Sequence, residues 1–199
     1  MKKKIKIIGL TGGIGSGKSS VLQLFKNKGL AIYNADIEAK LLMQENHQLI
    51  KKITDYFGKE AYESGQLNRK YLAHEVFKNP EKLKVLNALV HPVVRKHFQS
   101  FIKKQKSPIV ILENAILFES GMDQLCDAVI TITAPTETRI QRIMQRDGVS
   151  KQQVLDRMNN QIEDHLKMKK SDFVIENIRW EQTAQEVEKI YKEILPEHL

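Results

Sequence analysis

Gly12-x-x-x-x-Gly17-Lys18-Ser19 brings small, cationic and hydroxyl residues together at a spacing that suits anion chemistry. Glycines let a backbone curl until successive N–H groups face one point, and a helix that opens just after them adds the positive end of its dipole. That cradle fits a polyphosphate. Gly13, Ile14, Gly15, Ser16, Gly17, Lys18, Ser19 and Ser20 are its candidate contacts. Lys18 is expected to reach the β- and γ-phosphates, and the Ser19 hydroxyl to coordinate the Mg²⁺ that neutralises them.

Other residues could act beside this loop. Asp36 follows the second predicted strand, at the sheet edge where open α/β sheets take their ligands, and a carboxylate there can orient a hydroxyl and accept its proton. The same aspartate also suits a plain helix N-terminus. From Thr136 to Arg146 the pattern is helical and Asp147-Gly148 ends it. At about 100° per residue, Ile140, Ile143 and Met144 share one face while Arg139, Arg142 and Arg146 gather on another. Three such guanidiniums fit either a solvated helix face or a lid that closes on a transferring phosphoryl group. Arg157, Lys167, Lys169 and Lys170 extend the basic stretch. His91, with Arg95 four residues on, fits an anionic acceptor or simple packing. The six histidines and single cysteine lack zinc spacing, so no structural metal is expected.

These residues need a scaffold. Ile5 to Leu10, Leu30 to Tyr33, Pro108 to Leu112, Ala128 to Thr133 and Phe173 to Ile175 read as five strands, apolar enough to be buried on both faces. Helical patterns lie between them, giving an α/β parallel sheet. From Ala35 to Lys106 there are only helical periodicities, such as Leu49/Ile53/Phe57, so this stretch is expected to be a helical insertion without strands. Pro92 predicts a helix break near His91.

Composition narrows the class. The 199 residues suffice for one well-cored domain, and no apolar run is long enough to span a bilayer. The apolar stretch after Met1-Lys2-Lys3-Lys4 is short for a signal sequence, so export is not expected. Cys126 alone forms no internal disulfide, which suits a reducing cytoplasm. A net charge of +8 favours anionic partners, and Lys2 to Lys4 read as a solubilising terminus or a nucleic-acid patch. The N-K-x-D motif of a guanine switch is absent, and Asp55-x-x-Gly58 falls in the helical insertion rather than after a strand. Ile109 to Glu113 ends in one acid, not the acidic pair of a helicase. A small-molecule kinase remains, with the inserted helices holding the acceptor.

In series, the motifs resemble the dephospho-CoA kinase family nearly end to end. They are Gly9 to Ser19, Ala35-Asp36, Gly65-x-Leu67-x-Arg69-x-x-Leu72 with Val76-Phe77, and Leu89-Val90-His91-Pro92-x-x-Arg95. Further on come Leu117-Phe118-Glu119, Cys126-Asp127, Ala134-Pro135, Arg142-x-x-x-Arg146-Asp147-Gly148, Arg157-x-x-x-Gln161 and Asp172 to Asn177. The resemblance implies a P-loop NTPase-type five-stranded sheet with a nucleotide-binding core at 1–33, 107–135 and 171–199. It implies a helical acceptor-binding domain at 34–106 and a lid at 136–170. It implies ATP as donor with Mg²⁺, and the ribose 3′-hydroxyl of dephospho-CoA as acceptor. Asp36, Lys18 and Arg142 would be catalytic, Arg146, Pro135 and Asn177 would join the ATP site, and Thr11, Asp36, His91, Arg95 and Glu119 would face the acceptor. A cytoplasmic monomer or weak homo-oligomer, with neither nucleic acid nor membrane as partner, completes what it implies.

The chain departs from the family pattern where Asn34-Ala35-Asp36 replaces Asp-Ala-Asp, where Ser20 replaces a common Thr, and where Asn114-Ala115-Ile116 replaces a proline-containing run. A kinase for another small acceptor and an NTP-dependent nucleic-acid-binding module are the competing readings. The second predicts binding that falls steeply with salt.

Overall fold

The computed structural model describes residues 5–77 and 79–195, and the Lys2 to Lys4 cluster lies outside them. Five strands form one all-parallel sheet: β1 (Lys6–Thr11), β2 (Ala31–Asn34), β5 (Ile109–Glu113), β6 (Ala128–Thr133) and β7 (Phe173–Glu176). Their order is β2-β5-β1-β6-β7. The interior place of β5, between β2 and β1, explains its apolar run, since all five of its residues are buried.

Helices α1 (Lys18–Asn27) and α9 (Trp180–Ile194) cover the sheet. Val21 and Phe25 of α1 and Val187, Ile190 and Ile194 of α9 meet Ile8, Leu10, Ile130 and Ile132 in one core. Each such fully buried aliphatic or aromatic chain contributes about 1.5–3 kcal/mol. The ladder pairs Ile8 with Ile111 and with Ala128, so the loop that leaves β1 is flanked by the ends of two neighbouring strands. Helices α6 (Thr136–Asp147), α7 (Lys151–Asn159) and α8 (Asp164–Lys169) lie between β6 and β7 in the chain.

The chain divides into two compact units, one drawn from 1–34 and 105–199, the other Ala35–Lys104. The second holds α2 (Ala35–Glu45), α3 (His47–Phe57), α4 (Arg69–Phe77) and α5 (Pro80–Lys104). Leu49, Ile53 and Phe57 are the buried stripe of α3, whose start is capped by the Asn46 side chain accepting from the Leu49 N–H.

Two sequence expectations fail in this unit. It contains strands after all: β3 (Tyr62–Glu63) and β4 (Gln66–Leu67) pair as an antiparallel hairpin. Ser64 at φ 49° and Gly65 at φ 77° make the left-handed two-residue turn that such a hairpin requires. Nor does a helix end near His91, because α5 runs unbroken through Pro92. Proline removes one N–H and crowds the carbonyl four residues back, but Val90, Val94 and Phe98 are buried on one face and hold both halves in line.

Candidate active site

The loop from Gly12 to Gly17 leaves the end of β1 and enters α1, as its motif requires. Gly12, Gly15 and Gly17 take φ values of 149°, 81° and 90°. Space is as tight as angle here. A Cβ on Gly12 would lie 2.1 Å from the Ile132 carbonyl oxygen, and one on Gly13 2.2 Å from Arg139 Nη2. Ser16 N–H donates to Gly13 O at 3.1 Å, closing the loop on itself.

Lys18 Nζ donates to Gly12 O at 2.8 Å, so the ammonium lies over the loop. Ser19 and Ser20 are exposed on the first turn of α1. Thr11 Oγ1 and Ser16 Oγ are buried and have no hydrogen-bond partner among the described residues. A solvent-facing hydroxyl at Ser19 fits Mg²⁺, which keeps several waters and takes most other ligands from phosphate oxygens. No group of three or more His, Cys, Asp or Glu among the described residues forms a dedicated metal cage.

The three arginines of α6 do not converge. Arg139 is buried, donating from Nε to Ile14 O at 2.8 Å and pairing with Asp164. Arg142 Nη2 donates to Asn177 O at 3.0 Å, while its Nη1 is buried without a partner among the described residues. Arg146 is exposed and binds the neighbouring Asp147 at 2.7 Å. Arg139 is thus engaged by Ile14 O and by Asp164 at the start of α8, while Arg142 and Arg146 are held elsewhere. Ile140 and Ile143 are buried with Val154, but Met144 is 38% exposed and leaves the predicted apolar face.

Asn177 is buried and anchors the loop. Its Nδ2 donates to Ser16 O at 2.9 Å and its Oδ1 accepts from Thr183 Oγ1 at 3.1 Å. Pro135 is the exposed residue before α6. Glu119 Oε1 accepts from Ile162 N–H at 3.0 Å and lies 3.2 Å from Nζ of the fully buried Lys167. This glutamate therefore joins the loop after β5 to α8.

At the far edge of β5, Asn34 Nδ2 donates to Glu113 Oε2. Asp36 falls two residues beyond Asn34, in the first turn of α2. His91 and Arg95 are both half-buried on α5, and burial first, then the Arg95 charge, lowers the His91 pKa. Burial first, then the charges of Asp123 and Asp127, pushes the Cys126 thiol up to about 12, which disfavours the thiolate.

Sequence reasoning overlooked the contacts of Arg139, Gln161, Asp164 and Lys167 with the loop and its surroundings. Glu113 was visible as an acid at a strand end, but nothing in the sequence paired it with Asn34. No helix among the described residues is long and apolar enough to cross a membrane.

Residues 6–182 match the sequence model of dephospho-CoA kinase. A dephospho-CoA kinase from Bacillus licheniformis is 39% identical over 178 residues, covering 86% of this chain and 87% of the relative. A crystal structure from Thermus thermophilus superposes with a TM-score of 0.86 at 33% identity, covering 98% of this chain and 100% of the other. Shikimate kinase from Acinetobacter baumannii shares the fold, with a TM-score of 0.55 at 19% identity over 99% of this chain and 97% of its own. With its phosphate loop on a five-stranded parallel sheet and this match along most of its length, the chain belongs to the dephospho-CoA kinase family.

Proposed function

We propose that this protein transfers the γ-phosphoryl group of ATP to the ribose 3′-hydroxyl of dephospho-CoA, giving CoA and ADP. The observation that carries the reading is the loop between β1 and α1, whose glycine geometry, Lys18 and Ser19 suit a nucleoside triphosphate. The loop N–H groups from Gly13 to Lys18 bind the polyphosphate. Lys18 turns from Gly12 O toward the β- and γ-phosphates. Mg²⁺ held at Ser19 supplies neutralisation of the phosphate charge when bound.

Asp36 orients the acceptor hydroxyl and takes its proton. The bond from the 3′-oxygen to phosphorus forms as the bond from phosphorus to the β–γ bridging oxygen breaks, and ADP leaves with that oxygen. Two residues of chain reach at most about 7 Å, so Asp36 is tied to the carboxyl edge of the sheet by its connection to Asn34. Arg142 and Arg146 bind phosphate charge, with Pro135 and Asn177 at the adenine end. Thr11, His91, Arg95 and Glu119 serve the acceptor, residues 34–106 form its domain, and 136–170 act as a lid that limits hydrolysis. The protein works in the cytoplasm as a monomer or weak homo-oligomer, without nucleic acid or membrane.

Mass-spectrometric product analysis with Mg-ATP tests this against a panel of dephospho-CoA, nucleoside monophosphates and no acceptor. One added phosphoryl group on dephospho-CoA alone is the expected result. Transfer to another acceptor, or ATP consumption without one, overturns the acceptor assignment. Asp36→Asn should lower turnover by about 10²–10⁴ while leaving ATP affinity in place. Turnover within about threefold of wild type would remove the base assignment.

A further inference from the structure

Ile14 sits at the tip of the phosphate loop, and both of its backbone polar groups are taken by distant side chains. Its carbonyl accepts from Arg139 Nε at 2.8 Å, 125 residues away, and its N–H donates to Gln161 Oε1 at 2.9 Å, 147 residues away. Gly13 and Gly15 flank it, so no Cβ on either neighbour restrains the two peptide planes that meet there.

A trans peptide is planar, with its C=O and N–H pointing in opposite directions. Drawing the Ile14 carbonyl toward Arg139 therefore turns the Gly15 N–H to the opposite side. Drawing the Ile14 N–H toward Gln161 likewise turns the Gly13 carbonyl away, where it meets Ser16 N–H at 3.1 Å and Lys18 Nζ at 3.5 Å. Asn177 repeats the device two peptide planes later. By holding Ser16 O at 2.9 Å it directs the Gly17 N–H.

The two holding side chains are themselves fixed. Arg139 is 4% exposed and paired with Asp164. Between Gln161 and Asp164, the Ile162 N–H is fastened to Glu119. Lys167 then ties α8 to Glu119 and, at 3.0 Å, to Ala115 O.

We propose that Arg139 and Gln161 are positioning residues of the phosphate loop, which fix the peptide planes on either side of Ile14 and so aim the Gly15 N–H at the β-phosphate. Arg139 acts through the loop backbone and is not one of the arginines that bind phosphate. The inference rests on the reading of this loop as a nucleotide site, but not on the identity of the acceptor.

Calorimetric titration of the full-length protein with ADP and with AMP, in Mg²⁺ buffer, tests it. The β-phosphate is the part that ADP has and AMP lacks, so the ratio of the two affinities reports the loop. Gln161→Met removes the acceptor at similar length, and Arg139→Lys keeps the charge but loses the Nε donor. Each should weaken ADP binding about tenfold, the scale of one lost hydrogen bond in a closed site, with AMP binding changed by less than about twofold. A ratio within about twofold of wild type in Gln161→Met, or ADP and AMP weakening together, would overturn the proposal. Should Arg139→Lys fail to fold, the half-buried Gln161 decides alone. A wild-type protein that binds ADP but leaves dephospho-CoA unphosphorylated would sink the proposed function and leave this test intact.

Discussion

Asn34 Nδ2 donates to Glu113 Oε2 across two neighbouring parallel strands, joining residues that are also partners in the β2–β5 register. Glu113 is 5% exposed, so the amide meets a carboxylate that water barely reaches. An amide suits that place because it donates a hydrogen bond without adding a second negative charge.

Asn34→Asp would set two carboxylates at hydrogen-bond distance. Both cannot stay ionised, so one holds a proton and its pKa rises above the unfolded value. The folded variant then binds more protons than its unfolded chain, and its stability falls as pH rises through that raised value. Urea denaturation should find Asn34→Asp less stable than wild type by about 1–3 kcal/mol at pH 7.5, with a smaller gap at pH 5. A gap of the same size at both pH values would contradict the carboxylate pairing.

Arg142 makes a different prediction because one of its nitrogens is used and the other is not. Nη2 is held by Asn177 O, and Nη1 is buried without a partner among the described residues. A buried guanidinium donor left unpaired costs free energy that an anion would recover. Arg142→Ala should therefore cut turnover with ATP by about 10³, in the range for an arginine that stabilises a transferring phosphoryl group. Steady-state kinetics with turnover and ATP affinity both within about threefold of wild type would exclude that role.

The legible parts of this molecule were those whose cause is local. Ile109 to Leu112 read as a strand because an interior parallel strand is apolar on both faces, and Gly12 to Ser19 read as a phosphate cradle because the cradle is built from consecutive residues. Tyr62–Glu63 and Gln66–Leu67 are too short to develop a period, so their hairpin left only its turn residues as a sign. Pro92 misled because local sterics favour a break, while the burial that overrides them lies at Val90, Val94 and Phe98. Arg139 misled more. It was read as one of three arginines on a common face, but its partners Ile14 and Asp164 lie 125 and 25 residues away, and no pattern within the helix marks them.

Asp147 ends α6 and receives hydrogen bonds from Arg146 and Arg157, the latter at 2.7 Å. Arg146 first and Arg157 second hold its carboxyl down at about 2. Its folded value lies below the unfolded one, so the stability it contributes is present above the ordinary carboxylate value of about 3.9 and is lost as pH falls toward 2. Carboxyl-carbon NMR of the folded protein should give Asp147 a midpoint of about 2. Arg157→Ala should move that midpoint up toward the ordinary value. No movement would mean that Arg157 only touches Asp147 without sharing its charge.

Gly13 separates the demands of space from those of backbone angle. It is not among the glycines with positive φ, so its conformation alone would admit a side chain. Yet an added Cβ would lie 2.2 Å from Arg139 Nη2 and 2.7 Å from Asp164 Oδ1, inside the ion pair that packs against the loop. Neither partner is the loose end of an exposed chain, because Arg139 is also bound to Ile14 O and buried. Gly13→Ala must push the arginine, the loop or both, and overpacking of this kind costs about 1–3 kcal/mol. The expected result is a lower thermal midpoint together with ADP binding weakened by about tenfold or more. Addition of Arg139→Ala should return part of the lost stability by opening the space, without restoring ADP affinity, since the tie on Ile14 is then gone. A double variant no more stable than Gly13→Ala alone would show that the two residues do not compete for that volume.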